Sequence, residues 1–188
     1  MSAPPELPDV VSRAFAVSRK AGYVSFCRNE TGRLLATLAA TRGGTLAEFG
    51  TGTGVGTAWL RSGVRGDARI VTAELNPKLA GAAAEIFEDD PQVEVLAADW
   101  STLTDKGPFS LLYLDSGDPS SVRVDAVADL VDEGGIVVLD DFTPCEMWPP
   151  IFHGRVDTLR EEWLTDERFT TVEVMVAADA ATLIATRR

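Results

Sequence analysis

The chain of 188 residues carries 17 Lys and Arg against 29 Asp and Glu, a formal net charge of −12, with 45% apolar and 24% charged residues. These values suit one globular unit of ordinary size and exclude wholesale disorder, and the acidity sets aside a nucleic-acid partner, which needs a basic face to displace counterions. A lone histidine, His153, excludes a multi-histidine zinc site; Cys27 and Cys145 form neither a C-x-x-C pair nor a metal spacing and are expected as reduced thiols; no apolar run nears a membrane span. The start Met-Ser-Ala-Pro-Pro-Glu lacks the regions of a signal peptide, so a cytoplasmic location is expected.

Past the Pro-rich start, Val10, Val11, Ala14, Phe15 and Val17 recur at helical spacing, and Leu34, Leu35, Leu38 and Ala39 do so again before Gly43 and Gly44. Two leading helices are expected within residues 1–44. Beyond them the pattern predicts strand 46–49, helix 55–63, strand 69–74, helix 77–88, strand 93–97, strand 110–114, helix 119–131 and strand 135–140. Asn76-Pro77 and Asp118-Pro119 each read as an N-cap followed by proline at the first helical position. A loop holding Pro144, Pro149 and Pro150 leads to a helix near 155–165, and strands near 170–176 and 181–186 close the chain as a hairpin. This order implies an α/β fold, Rossmann-like and doubly wound. Its mostly parallel seven-stranded sheet ends in an antiparallel strand, in one domain over 1–188 with the core at 45–188.

The segment Leu46-Ala-Glu-Phe-Gly-Thr-Gly-Thr-Gly-Val-Gly56 is a short strand that ends in an acid and breaks into alternate glycines. Glycine carries no Cβ, so a ligand can approach the main chain of Gly50, Gly52 and Gly54 closely. A dinucleotide cradle needs glycine or alanine five residues after the first glycine; Val55, Thr57 and Trp59 stand there instead. Glu48 also has no place beside a pyrophosphate at a helix N-terminus and suits a cationic ligand better. The pattern E-x-G-x-G-x-G resembles the first motif of class I S-adenosylmethionine-dependent methyltransferases.

In doubly wound sheets ligands lie beyond the carboxyl ends of the strands. Those ends are acidic here: Glu48, Glu74, Asp99, Asp115, and Asp140 with Asp141. Glu74 follows Gly50 at roughly the 20-residue distance of a ribose-binding acid. Asp99 is placed to accept from an adenine amino group, with Trp100 either packing on the ring or serving as core. Asp115, Asp140 and Asp141 would repel one another unless a cation sits between them, and an oxygen-seeking ion such as Mg²⁺ suits that donor set. The alternative is that Asp140 or Asp141 caps the next loop and no metal binds.

Together these residues resemble the catechol O-methyltransferase-like family over most of the chain. Thr31 to Leu35 is similar to its leading helix, Glu48 to Gly56 to its donor loop, Glu74-Leu75-Asn76-Pro77 to its ribose motif, and Leu111 to Asp115 to its metal-binding strand. Gly134 to Asp141 resembles the fifth strand, His153 to Val156 the stretch after it, and Leu183 to Arg188 the closing strand. The resemblance implies a methyltransferase (EC 2.1.1.-) acting on a hydroxyl of a small molecule with a divalent cation, while charge and the lack of an apolar span leave no nucleic-acid or membrane partner expected. It implies donor contacts from Val24, Glu48, Gly50, Thr51, Gly52, Gly54, Gly56, Glu74, Leu75, Asp99, Trp100 and Asp115, and metal ligation by Asp115, Asp140 and Asp141. Homodimers are common in the family.

Two departures stand out. Asp141 replaces the usual asparagine ligand, which adds a negative charge, and Asp118 replaces the lysine that acts as general base. Asp118 is thus open to two readings, a cap or a base, with Asp115 the other catalytic candidate; Phe142, Met147 and Trp148 are the apolar candidates to touch an acceptor. The rival functions are a metal-independent methyltransferase on another small nucleophile and a donor-binding protein without catalysis.

Overall fold

The computed structural model describes residues 6–24, 27–118 and 120–188. Helices α1 (Asp9–Ala21) and α2 (Asn29–Ala39) precede strand β1 (Thr45–Phe49), helix α3 (Val55–Gly63), strand β2 (Arg69–Ala73), helix α4 (Pro77–Ile86) and strand β3 (Val93–Leu96). A 3₁₀ segment (Trp100–Lys106) leads to β4 (Phe109–Leu114), a four-residue helix α5 (Val124–Val127) with a 3₁₀ turn, and β5 (Val131–Phe142). A small hairpin of β6 (Ile151–Phe152) and β7 (Arg155–Val156), helix α6 (Thr158–Thr165), and strands β8 (Phe169–Ala177) and β9 (Ala180–Arg187) complete the order.

Seven strands form one sheet in the order β3-β2-β1-β4-β5-β9-β8, parallel except that β9 runs antiparallel to β5 and to β8. Period-two alternation gives the sheet two apolar faces. Leu46, Ile70, Leu111, Tyr113 and Val138 pack with Val11, Leu35, Trp59 and Leu60 of α1, α2 and α3. On the opposite face Ala47, Phe49, Leu112, Leu114, Val137 and Leu139 pack with Leu103, Val127 and Trp163. The strand order reverses between β1 and β4, so the segments after those two strands part and leave a crevice, the place where such sheets bind ligands.

The cap at Asn76 forms as expected, its side chain accepting from the Lys78 N–H at 3.0 Å. The helix predicted over 119–131 does not form in full: among the described residues it reduces to α5 and its 3₁₀ continuation. Asp118 accepts from the Ser120 N–H (2.9 Å) and hydroxyl (2.7 Å), and its carbonyl accepts from the Ser121 N–H (3.1 Å). These bonds tie Asp118 to Ser120 and Ser121 in a way that competes with helix, as short polar side chains do. The delayed start of α5 is capped from another element, the Val124 N–H donating to Glu162 of α6 at 2.9 Å. The β6–β7 hairpin, in what reads as a proline-rich loop, turns on His153 (φ 50°) and Gly154 (φ 75°), the paired positive φ values that two-residue hairpin turns require.

Helices α2 and α3 touch through missing side chains. A Cβ at Gly63 would lie 2.0 Å from the Ala36 carbonyl oxygen, and one at Gly32 would lie 2.2 Å from the Trp59 indole nitrogen. Gly63→Ala is expected to lower stability by about 1–3 kcal/mol through overpacking. By contrast, Gly81→Ala, at an exposed position of helix α4 with nothing within 4 Å of its added Cβ, is expected to raise stability by a few tenths to about 1 kcal/mol. Urea unfolding of both variants checks the pair, and equal effects of either sign would refute the packing argument.

Candidate functional site

The end of β1 and the start of α3 form the glycine loop, and backbone geometry dictates its composition. Gly50 (φ 95°) lies so near β4 that a Cβ there would sit 2.5 Å from the Asp115 carbonyl oxygen. Gly56 answers a different need: its added Cβ would meet Glu48 Oε1 at 2.0 Å. One glycine thus lets the loop approach β4, and the other makes room for a buried acid.

Glu48 is fully buried behind the loop and does not line the cavity in front of it. Its Oε2 accepts from the hydroxyls of Thr57 and, at 3.1 Å, Thr72; the Thr72 hydroxyl in turn bonds the Thr51 hydroxyl at 2.6 Å. Oε1 is buried without a partner. Burial pushes the carboxyl up to about 8 against the opposing pull of the two threonines. The sequence expectation that Glu48 faces a cationic ligand gives way to a structural one. It anchors the loop through a hydroxyl chain that ends at Thr51.

In front of the loop lies a cavity of about 460 Å³. Gly50, Thr51, Gly52, Gly56, Glu74, Leu75, Asp99, Trp100, Asp115 and Asp118 all line it, whereas Gly54 turns toward Ala83, Ile86 and Phe87, and Val24 is 85% exposed and lines neither this cavity nor the second one. The structure adds Tyr23, Thr53, Ser116 and Gly117, which the sequence reading does not name. Glu74 is held at the rim by the Gly52 N–H (2.9 Å) and the Asn76 N–H (2.8 Å). Asp99 caps the 3₁₀ segment by accepting from the Ser101 N–H at 2.9 Å, and that bonding lowers its proton affinity. Trp100 serves both readings, since it stacks on Phe49 (centroids 5.0 Å apart) and lines the cavity.

A second cavity, about 470 Å³, is lined by Tyr23, Leu114, Asp115, Ser116, Gly117, Val122, Leu139, Asp140, Asp141, Phe142 and Leu159. Phe142 lines it as expected; Met147 and Trp148 are exposed and do not. Burial, then repulsion from Glu48, Asp141 and Asp140, raises the Asp115 carboxyl well above the ordinary range. Asp140 is also raised by burial, although it accepts from Thr31 Oγ1 at 3.1 Å and, at the limit of 3.5 Å, from the Tyr113 hydroxyl. Asp141 sits in the left-handed region (φ 66°) where the β5–β9 register shifts, backbone strain of the sort that collects at functional sites. The three aspartates share a cavity, yet among the described residues no three His, Cys, Asp or Glu side chains are placed to hold one metal ion.

Asp118 behaves oppositely. Hydrogen bonds from Ser120, and then from the Trp100 indole N–H at 3.1 Å, pull its carboxyl below the ordinary value. It is a weaker base than a free aspartate and acts as the cap of its turn.

The family model of the methyltransferase domain matches residues 47–142, a range that holds most of the residues lining the two cavities. The chain belongs to the methyltransferase domain family. Solved methyltransferases share its fold. The O-methyltransferase from Bacillus cereus, in complex with SAH, superposes with a TM-score of 0.77 at 19% identity, over 97% of this chain and 92% of that one. TomG from Streptomyces achromogenes, an O-methyltransferase of tomaymycin synthesis in complex with SAM, gives 0.76 at 21%, over 97% and 92%. SAH-bound PaMTH1 from Podospora anserina gives 0.76 at 19%, over 97% and 89%. No curated protein matches the chain in sequence. Among the described residues of this methyltransferase no helix is long and apolar enough to cross a membrane.

The buried acid makes a pH prediction. Unfolded, Glu48 ionises near 4.5; native, it holds its proton to about 8, so the native state binds more protons between these values and its stability falls as pH rises through them. The full effect is on the order of 5 kcal/mol. Glu48→Gln removes it. In urea unfolding, the stability of the variant relative to the parent is expected to climb from pH 5 to pH 8, and a pH-independent offset would contradict the assignment.

Proposed function

We propose that this methyltransferase uses S-adenosylmethionine to methylate a hydroxyl of a small molecule, with the donor in the first cavity and the acceptor in the second. One observation carries the reading: the two cavities share the wall formed by Tyr23, Asp115, Ser116 and Gly117. A methyl group passing from one site to the other crosses at Asp115. The solved relatives hold SAM or SAH, which supports the choice of donor. The net charge of −12 favours a small acceptor over nucleic acid.

The donor supplies a methyl group on a positively charged sulfur; the acceptor oxygen takes it as the carbon–sulfur bond breaks and that electron pair stays on sulfur. Glu74, fixed by two backbone N–H groups, retains lone pairs to accept ribose hydroxyls. Trp100 offers a ring face for the adenine and Asp99 a free carboxylate oxygen for its amino group. Asp115 receives the acceptor's proton: it lines both cavities, and its raised proton affinity suits a base, whereas Asp118 is committed to its turn. Asp115→Asn is expected to lower methyl release, measured over a panel of phenols and other hydroxylated small molecules, by about 100-fold or more. SAH affinity by calorimetry should change little. Turnover near the parent level would reject Asp115 as the base.

A second reading rests on the three acids around the acceptor cavity. Asp115, Asp140 and Asp141 have the donor chemistry for Mg²⁺, and Asp140, which accepts from Thr31 and Tyr113, keeps lone pairs for a cation. A bound cation would orient the acceptor oxygens and acidify the attacking one. Exhaustive chelation followed by Mn²⁺ titration tests it: turnover lost and then regained supports the cation, and unchanged turnover removes it.

A further inference from the structure

Where the donor and acceptor cavities meet, four residues form the common wall; of these Asp115 carries a carboxyl and Tyr23 an aromatic ring. Asp115 is used as the base. Tyr23 has no role so far, yet its position is specified by several independent contacts. Gly22 ends α1 in the left-handed conformation (φ 65°), with its N–H on the Arg19 carbonyl (3.2 Å) and the Tyr23 N–H on the Ser18 carbonyl (3.0 Å). This cap turns the chain back toward the glycine loop.

The last turn of α1 is tied to that loop by a buried hydrogen bond between the Ser18 and Thr53 hydroxyls. The Tyr23 ring then rests on the loop itself: a Cβ at Gly52 would lie 3.0 Å from its Cε1, 3.1 Å from its hydroxyl oxygen and 3.3 Å from its Cζ. Gly52 (φ 53°) therefore serves the ring as well as its own turn. Val24, the neighbour expected at the donor from sequence, faces solvent instead. The side chain at the site is one residue earlier and aromatic.

We infer that Tyr23 is a specificity-determining residue that recognises the positive sulfonium of the methyl donor through its aromatic ring, at the point where the methyl group is handed to the acceptor. The inference rests on the donor reading given above. A ring beside a cation attracts it, while the demethylated product carries no charge on sulfur and gains nothing from the same contact. Tyr23 thus favours occupancy by the reactive donor and release of the spent one. The ring, rather than the hydroxyl, provides the attraction.

Binding alone reads this out, without a known acceptor. SAM and SAH are titrated by calorimetry into the parent, Tyr23→Phe and Tyr23→Leu, and the ratio of the SAH to the SAM dissociation constant is compared. Phe is expected to keep the parent ratio, and Leu to lower it about five- to tenfold, mainly by weakening SAM. Two results overturn the inference: an unchanged ratio in Leu, which equal weakening of SAM and SAH through a lost packing contact would give, or loss of the ratio in Phe, which would place recognition on the hydroxyl. If the parent binds neither compound, the donor reading itself fails, and the two failures are thereby separated.

Discussion

The carboxyl ends of β1 and β4 approach until the Gly50 backbone lies against the carbonyl of Asp115, and a single methyl group at position 50 would forbid it. Both halves of the site follow from that contact. It sets the glycine loop beside the segment 115–117, so that the two cavities on either side share residues for a wall. The crevice comes from the strand order, which reverses between these two strands; the close approach determines that the two cavities adjoin.

Carboxylates crowd the site, and their surroundings sort them. Glu48 is shut behind the loop, where burial keeps it protonated and Gly56 leaves it space. Asp115 is raised by burial and by its acidic neighbours, which makes it proton-accepting. Asp99 and Asp118, in turns that supply N–H and O–H donors, are lowered and serve as caps. Residue type alone does not separate the four, but desolvation and hydrogen bonding divide them into two raised and two lowered groups.

The fold was legible because its signals are local and periodic. Short apolar runs mark the parallel strands and alternation marks the closing one, and Asn76-Pro77 marks the start of α4. Asp118-Pro119 misled for a physical reason: the same carboxylate that can cap a helix captured Ser120 and closed a turn instead. The β6–β7 hairpin escaped notice because its turn depends on a positive φ at His153, which composition does not signal. Of the candidate site, Glu74, Asp99, Trp100 and Asp115 were legible from their places just after strands. Tyr23 was not, since the Ser18–Thr53 bond and the contact with Gly52 that bring it to the cavity join residues far apart in sequence.

The central claim is that methyl transfer occurs where the two cavities meet, at Asp115. A crystal structure of the protein with SAH tests it most directly. The account predicts the ribose hydroxyls on Glu74, the adenine beside Trp100 and Asp99, and the sulfur at the Asp115 wall, pointing into the cavity lined by Asp140, Asp141 and Phe142. A product bound elsewhere, or bound with its sulfur turned away from that second cavity, would contradict it.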